Sequence, residues 1–289
     1  MKTIKAPDYN PVKPTYVLPP NACDAHCHIF GPEAEFPFAA TSTYKPADAP
    51  KAMLRSLHAH IGITRAVLVQ ASCHGTDNRA MLDAIADSND TYRGVAMVDG
   101  TVTDEELREL HAGGVRGVRF NFVRHLGGAP DLDTFFGIVN RIKDLGWHVV
   151  LHLDSADILT YSSLLDAIPV PFIIDHMGRA KVADGVEQAP FQSLLALMRN
   201  NPRAWVKISG SERISAAGAP FRDAIPFAAQ LIAAAPDRVL WGTDFPHPNI
   251  TGDMPNDGEL VNLFAEMCPD EALRHQILVD NPDRLYWRS

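Results

Sequence analysis

Short aliphatic and β-branched runs alternate along the chain with longer stretches of helical period. Residues 22–28, 66–70, 92–98, 115–121, 148–153, 172–175, 204–209 and 239–242 read as strands. Helical patterns fall between them, near residues 52–61, 78–88, 132–145, 158–167, 191–199 and 221–235. A further helix starts at Thr103, which stands where a cap belongs and is followed by Glu105 and Glu106 in the first turn. Two more, near 258–268 and 271–279, close the chain. Strands that each cross over through a helix to the next make a parallel sheet. Eight such units predict a single α/β domain, a closed (β/α)8 TIM barrel over residues 21–289. Residues 1–20 carry five prolines and predict an extended arm. The stretch 31–50 is the longest early insertion and a candidate lid.

Composition narrows the partners. With 289 residues, 46% hydrophobic, the chain can bury a large core. No apolar run approaches the ~18 residues needed to cross a bilayer, and the N-terminus lacks the apolar core of a secretory signal. The four cysteines have no disulfide-framework spacing, so a reducing, cytoplasmic location is expected. A net charge of −9 argues against nucleic acid or an anionic membrane as partner. An anionic ligand must find its own local arginines.

In such a barrel, chemistry sits at the C-terminal ends of the strands. Those ends carry His26 and His28, Gln70 to His74, Arg119 and Asn121, His152 and Asp154, Asp175 to Arg179, Ser211 to Arg213, and Thr243 to His247. Polar groups on seven of eight mouths exceed what fold maintenance requires. Strict alternation in the first strand places Asp24, His26 and His28 on one face and Cys23, Ala25 and Cys27 on the other. Two imidazoles pointing the same way can hold a metal or aim two N–H donors at one oxygen. His58, His60, His111 and His275 fall on helical patterns and are expected on solvated faces; His148 opens its strand at the wrong end and is expected to be structural. His74 and His247 stay ambiguous.

The set of H-x-H on the first strand, His152, His176 and Asp244 resembles the amidohydrolase superfamily. Residues 21–32, 70–78 (QASCHGTDN), 117–122 (GVRFNF), 174–179 (IDHMGR), 241–249 (WGTDFPHPN) and 281–287 are similar to its 2-pyrone-4,6-dicarboxylate lactonase branch. That branch also includes sulfomuconolactone hydrolases and sugar-acid lactonases. The resemblance implies a hydrolase that opens the lactone ring of a small dianionic substrate in aromatic catabolism. It implies Asp244 as the base that deprotonates water, and His26, His28 and His176 as groups that polarise the carbonyl, directly or through a metal. Tyr44, Ser72, Arg119, Arg179 and Arg213 would then hold the anionic arms, and bidentate pairing explains why arginine recurs.

Two positions depart from the branch. The lactonase has a tyrosine where this chain has His152, and the arginine in its loop after strand four falls at His125, with Arg124 one residue earlier. Arg124 and His125 are carried as candidates for the second anionic arm. His152 also raises the potential ligands to five, with His26, His28, His176 and Asp244, enough for one Zn2+ or other divalent ion with an open position for water. The resembled lactonase works without metal, so imidazole N–H groups stand as the alternative. Strand four has no lysine, which argues against a carbamylated lysine and a binuclear site. Rival readings are a metal-dependent decarboxylase of aromatic acids, a lactone isomerase acting on sugar acids, and a non-catalytic binder of organic dianions.

Overall fold

The structure, a computed structural model, describes residues 2–126 and 128–288. Its core is one sheet of eight strands: β1 (Cys23–Cys27), β2 (Arg65–Val69), β3 (Tyr92–Ala96), β4 (Val115–Asn121), β5 (His148–His152), β6 (Phe172–Ile174), β7 (Ala204–Lys207) and β8 (Val239–Leu240). Each pairs in parallel with the next in chain order. Helices α1 (Lys51–Ile61), α2 (Arg79–Ala86), α3 (Asp104–Ala112) and α4 (Leu132–Lys143) follow the first four strands. Thr103 caps α3 in a reciprocal box with Glu106, as its spacing predicts. The expected helix over 158–167 is broken into Asp157–Thr160 and Ser162–Ala167, and the last helix passes into a wider π-helical turn at Gln276–Asp280.

The seam between β8 and β1 closes the ring without a regular ladder. Ala25 N–H donates to the Trp241 carbonyl at 2.9 Å, Asp244 N–H to His26 at 2.7 Å, and His28 N–H to Phe245 at 2.8 Å. The two backbones approach so closely at Gly242 that a Cβ there would lie 2.4 Å from His26 N. Only glycine fits. Asp24 clamps the same seam: Oδ1 accepts from His26 N and Thr243 N at 3.0 Å each, and Oδ2 accepts from Thr243 Oγ1 at 2.6 Å.

Strict alternation fails in β1. The register slips between Asp24 and Cys27, and such a bulge changes which side the following residues face. Cys23 and Ala25 pack inside the barrel with Val67, Val69 and Val150, while Cys27 joins the outer core. Asp24 therefore points away from the histidines and meets His58 of α1, Oδ2 to Nε2 at 3.2 Å. His58 is accordingly buried, against the expectation of a solvated helix face. The bulge is what lets His26 and His28 reach the interior after an apolar Cys23 and Ala25.

Leu285 and Tyr286 pack against the inner apolar cluster, together with Val95, Ile173 and Leu240. His148 lies beside Tyr286, ring centroids 4.9 Å apart, and neither imidazole nitrogen has a partner among the described residues. The N-terminal arm lies across the fold, with Lys2–Thr3 pairing to Tyr44–Lys45 and Thr15 N donating to Asn262 Oδ1. The 31–50 loop is tied down as well: Phe30 bridges to Ala49, and Gly31 N donates to His74 Nε2 at 3.1 Å. These ties seat Tyr44, 3% exposed, above the barrel.

Candidate active site

The barrel mouth converges on Asp244. Its backbone is left-handed (φ 67°), a conformation Asp tolerates better than most residues, and it turns the carboxylate inward from just beyond β8. Arg213 donates to Oδ2 through Nε at 2.7 Å and also through Nη2. Oδ1 faces His28 Nε2 at 3.2 Å, His26 Nε2 at 3.4 Å and His176 Nε2 at 3.9 Å. Burial opposes ionisation of Asp244, but Arg213 and His176 overcome it and hold the carboxyl well below the usual carboxylate range. It is an ionised carboxylate.

Each imidazole is oriented by its other nitrogen. The Val69 carbonyl, which can only accept, takes a hydrogen bond from His28 Nδ1–H at 2.8 Å and so turns Nε2 toward Asp244. His176, also left-handed (φ 52°), bonds Ser209 Oγ through Nδ1 at 3.1 Å and rests on Gly210, where a Cβ would come within 2.7 Å of Nδ1. Burial pushes His176 well below the ordinary histidine range, despite the nearby Asp244. Burial, reinforced by Lys207, takes His26 down to about 4. His26 and His176 are neutral near pH 7.

Strand-end position points to Asp175 without giving it a role and passes over Lys207, yet both lie directly beneath the site. Lys207 is fully buried in β7 with Nζ 3.0 Å from His26 Nδ1 and 3.5 Å from Asp175 Oδ1. Arg119 Nη2 reaches Asp175 Oδ2 at 3.3 Å. Burial disfavours the Asp175 anion, but His26 and Lys207 outweigh it and keep the carboxyl well below its usual range. A signal for Lys207 existed: Trp205 points into the barrel, so alternation sends Lys207 the same way.

The cavity is lined by Tyr44, Ser72, Arg119, Arg179, Arg213 and His152, together with His28, His176 and Asp244. Tyr44 Oη and Ser72 Oγ are 3.1 Å apart. Arg119 Nε is buried without a partner among the described residues. Arg179 is held by Asp154 at 2.9 Å and by His152 Nε2 at 3.3 Å. Arg124 is exposed and does not line the cavity. The side chain of His125 lies outside the described residues. His247 is buried: Nε2 meets Asp257 Oδ1 at 3.2 Å, and Nδ1 faces Glu212 at 4.0 Å.

Of the five expected metal donors, His26, His176 and Asp244 present atoms within 4.8 Å of one another. His152 turns both nitrogens elsewhere, Nδ1 to Asn121 Oδ1 at 3.2 Å and Nε2 to Arg179. Of the remaining donors, Asp244 carries the Arg213 guanidinium and His26 carries the Lys207 ammonium. A divalent ion there would sit between two fixed cations, and the donor set fits it poorly.

A parallel barrel with D-x-H-x-H on its first strand, a histidine beyond the sixth and an aspartate beyond the eighth defines an amidohydrolase. The chain belongs to the amidohydrolase family, whose model matches residues 23–288. It is 47% identical over 286 residues to a 2-pyrone-4,6-dicarboxylate hydrolase of Comamonas testosteroni, covering 96% of this chain and 94% of that protein. It is 41% identical over 275 residues to a 4-sulfomuconolactone hydrolase of Rhizobium radiobacter, covering 94% and 92%. Among solved structures it is similar to a probable 2-pyrone-4,6-dicarboxylic acid hydrolase of Acinetobacter baumannii with citric acid bound, at TM-score 0.79, 30% identity and coverage of 92% and 99%.

Proposed function

We propose that the protein hydrolyses the lactone ring of a small dianionic substrate, a pyrone dicarboxylate or a sulfomuconolactone, using Asp244 as base and no metal ion. The observation that carries this reading is the split environment of one carboxylate. Arg213 takes Oδ2, and Oδ1 is left facing the cavity and its imidazoles. Relatives that share 47% and 41% of the sequence are named for hydrolysis of such lactones.

The steps follow from the groups present. Arg119, with its spare Nε, and Arg179 bind the anionic arms, aided by the Tyr44 and Ser72 hydroxyls. This places the ring ester carbonyl beside Asp244. Asp244 Oδ1 takes one proton from water as its oxygen bonds to the carbonyl carbon. An Nε2–H from His26 or His176 stabilises the oxyanion. The C–O bond of the ring ester then breaks, the carbonyl reforms as a new carboxyl group, and the departing ring oxygen takes the proton held by Asp244, which returns the carboxylate to its ionised form. The citrate in the Acinetobacter structure is a small polycarboxylate, which suits a mouth of this charge.

A spectrophotometric panel of dianionic pyrones and muconolactones, run with metal-depleted protein, tests this. Loss of ring absorbance with stoichiometric acid release is expected for at least one member. Turnover that appears only after a divalent metal is restored would reject the metal-free reading, and carbon dioxide release would reject hydrolysis.

A further inference from the structure

We propose that Lys207 is a positioning residue that keeps the proton of His26 on Nε2, so that His26 meets the reaction centre as an N–H donor and not as a lone pair. The consequence for turnover rests on the hydrolase reading above. The protonation pattern itself does not.

An ammonium group has three N–H donors and no lone pair. Lys207 Nζ lies 3.0 Å from His26 Nδ1, a contact that is attractive only if Nδ1 is the unprotonated nitrogen. A neutral imidazole has one N–H, so the proton must then be on Nε2. The opposite tautomer would press two donors together inside a fully buried site.

Asp175 is the competitor, since its Oδ1 lies 3.3 Å from the same His26 nitrogen and could accept from it. Two observations weigh against that pairing. Lys207 at 3.5 Å and Arg119 at 3.3 Å already balance the Asp175 charge, although neither carboxylate oxygen has a hydrogen-bond partner among the described residues. Lys207, by contrast, would lose its nearest acceptor and be left with a single oxygen at 3.5 Å, a costly state for a buried ammonium. His26 Nε2 completes the picture. It is buried, has no hydrogen-bond partner among the described residues, and faces Asp244 Oδ1 at 3.4 Å. A spare N–H beside the base is what a developing oxyanion requires. The same proton removes the lone pair with which His26 would ligate an ion.

Long-range proton–nitrogen correlation NMR on protein labelled with 15N-histidine reads the tautomer directly, with His26 assigned from its absence in His26→Gln. Wild-type protein is expected to show pyrrole-type Nε2 and pyridine-type Nδ1 at His26. In Lys207→Met the proton is expected to move to Nδ1, toward Asp175, while kcat falls by on the order of 10²-fold and KM is unchanged. Pyrrole-type Nδ1 in the wild type would overturn the proposal, as would an unchanged Nε2–H pattern in folded Lys207→Met. If that variant does not fold, the wild-type spectrum decides alone. The spectrum needs no substrate, so a protein inactive on every lactone would still reveal which nitrogen of His26 carries the proton.

Discussion

Arg213 places both Nε and Nη2 on a single oxygen of Asp244, Oδ2, rather than bridging the two oxygens of the carboxylate. The guanidinium thereby anchors one edge and leaves the other free to take a proton. A symmetric fork would have tied up the oxygen that faces the cavity. Arg213 also donates to the Pro248 carbonyl at 3.0 Å, which fixes it to the loop that carries Asp244.

Asp244→Asn keeps the shape of the side chain and removes the proton acceptor. Turnover is expected to fall by roughly 10²- to 10⁴-fold with substrate binding nearly intact. Single-turnover kinetics and equilibrium binding check this together. Near-wild-type turnover would sink the proposed role of Asp244.

Arg213→Gln removes the nearest cation. The Asp244 carboxyl, now held well below its ordinary range, should rise, so protonation disables the base at higher pH. The acid limb of the pH profile of kcat/KM is therefore expected to move toward neutrality. Breaking this buried pair should also cost roughly 3–5 kcal/mol of stability. A limb that stays in place would show that Arg213 does not tune the base.

Gly242→Ala tests the seam. Its Cβ would lie 2.4 Å from His26 N and 2.7 Å from Asp24 Oδ1, contacts that only a backbone shift relieves. A loss of roughly 1–3 kcal/mol is expected in denaturant melts, with reduced turnover because His26 moves. Gly137→Ala serves as control: it lies in α4 with nothing within 4 Å and should be neutral or stabilising.

Buried neutral histidines make the fold sensitive to acid. Burial, aided by Lys207, takes His148 down to about 3, and His26 stands at about 4. Both folded values lie below the ordinary 6.5. No penalty exists above that pH, where both states are neutral. Below it the unfolded chain binds protons that the native state refuses, so stability falls from about pH 6.5 down to the folded values. Each ring accounts for on the order of 3–5 kcal/mol at the bottom of its window. His148→Leu also removes two buried nitrogens that have no partner among the described residues. Its stability is expected to fall less than that of the wild type between pH 7 and pH 4.5, measured by urea denaturation. An equal fall in both proteins would count against His148 as the source.

Periodicity reveals the barrel because each strand is flanked by its own crossover helix; strand four spans Val115–Asn121, as the pattern indicates. Strand-end position points to His26, His28, His176, Arg119, Arg179, Arg213 and Asp244, all of which surround one cavity or its floor. Periodicity does not reveal the bulge in β1, because a register slip depends on the partner strand and leaves no local mark. Simple alternation therefore aims Asp24 at the wrong face and gives its partner His58, 3.2 Å away, to solvent. Lys207 is hidden for a different reason. A lysine on a short strand reads as an edge or an end, and only the ring of carboxylate and imidazole around it makes its burial tolerable.

The seam has a temporal meaning. His26 and His28 leave the ribosome early, and Asp244 follows more than two hundred residues later. The hydrogen bonds that finish the ring, Asp244 N to His26 O and His28 N to Phe245 O, involve the same residues that face one another across the reacting centre. An unfinished or opened ring thus has the Asp244 carboxylate on one end and the imidazoles on the other. Under the proposed mechanism no half-built molecule can hydrolyse anything, and activity becomes a readout of complete folding.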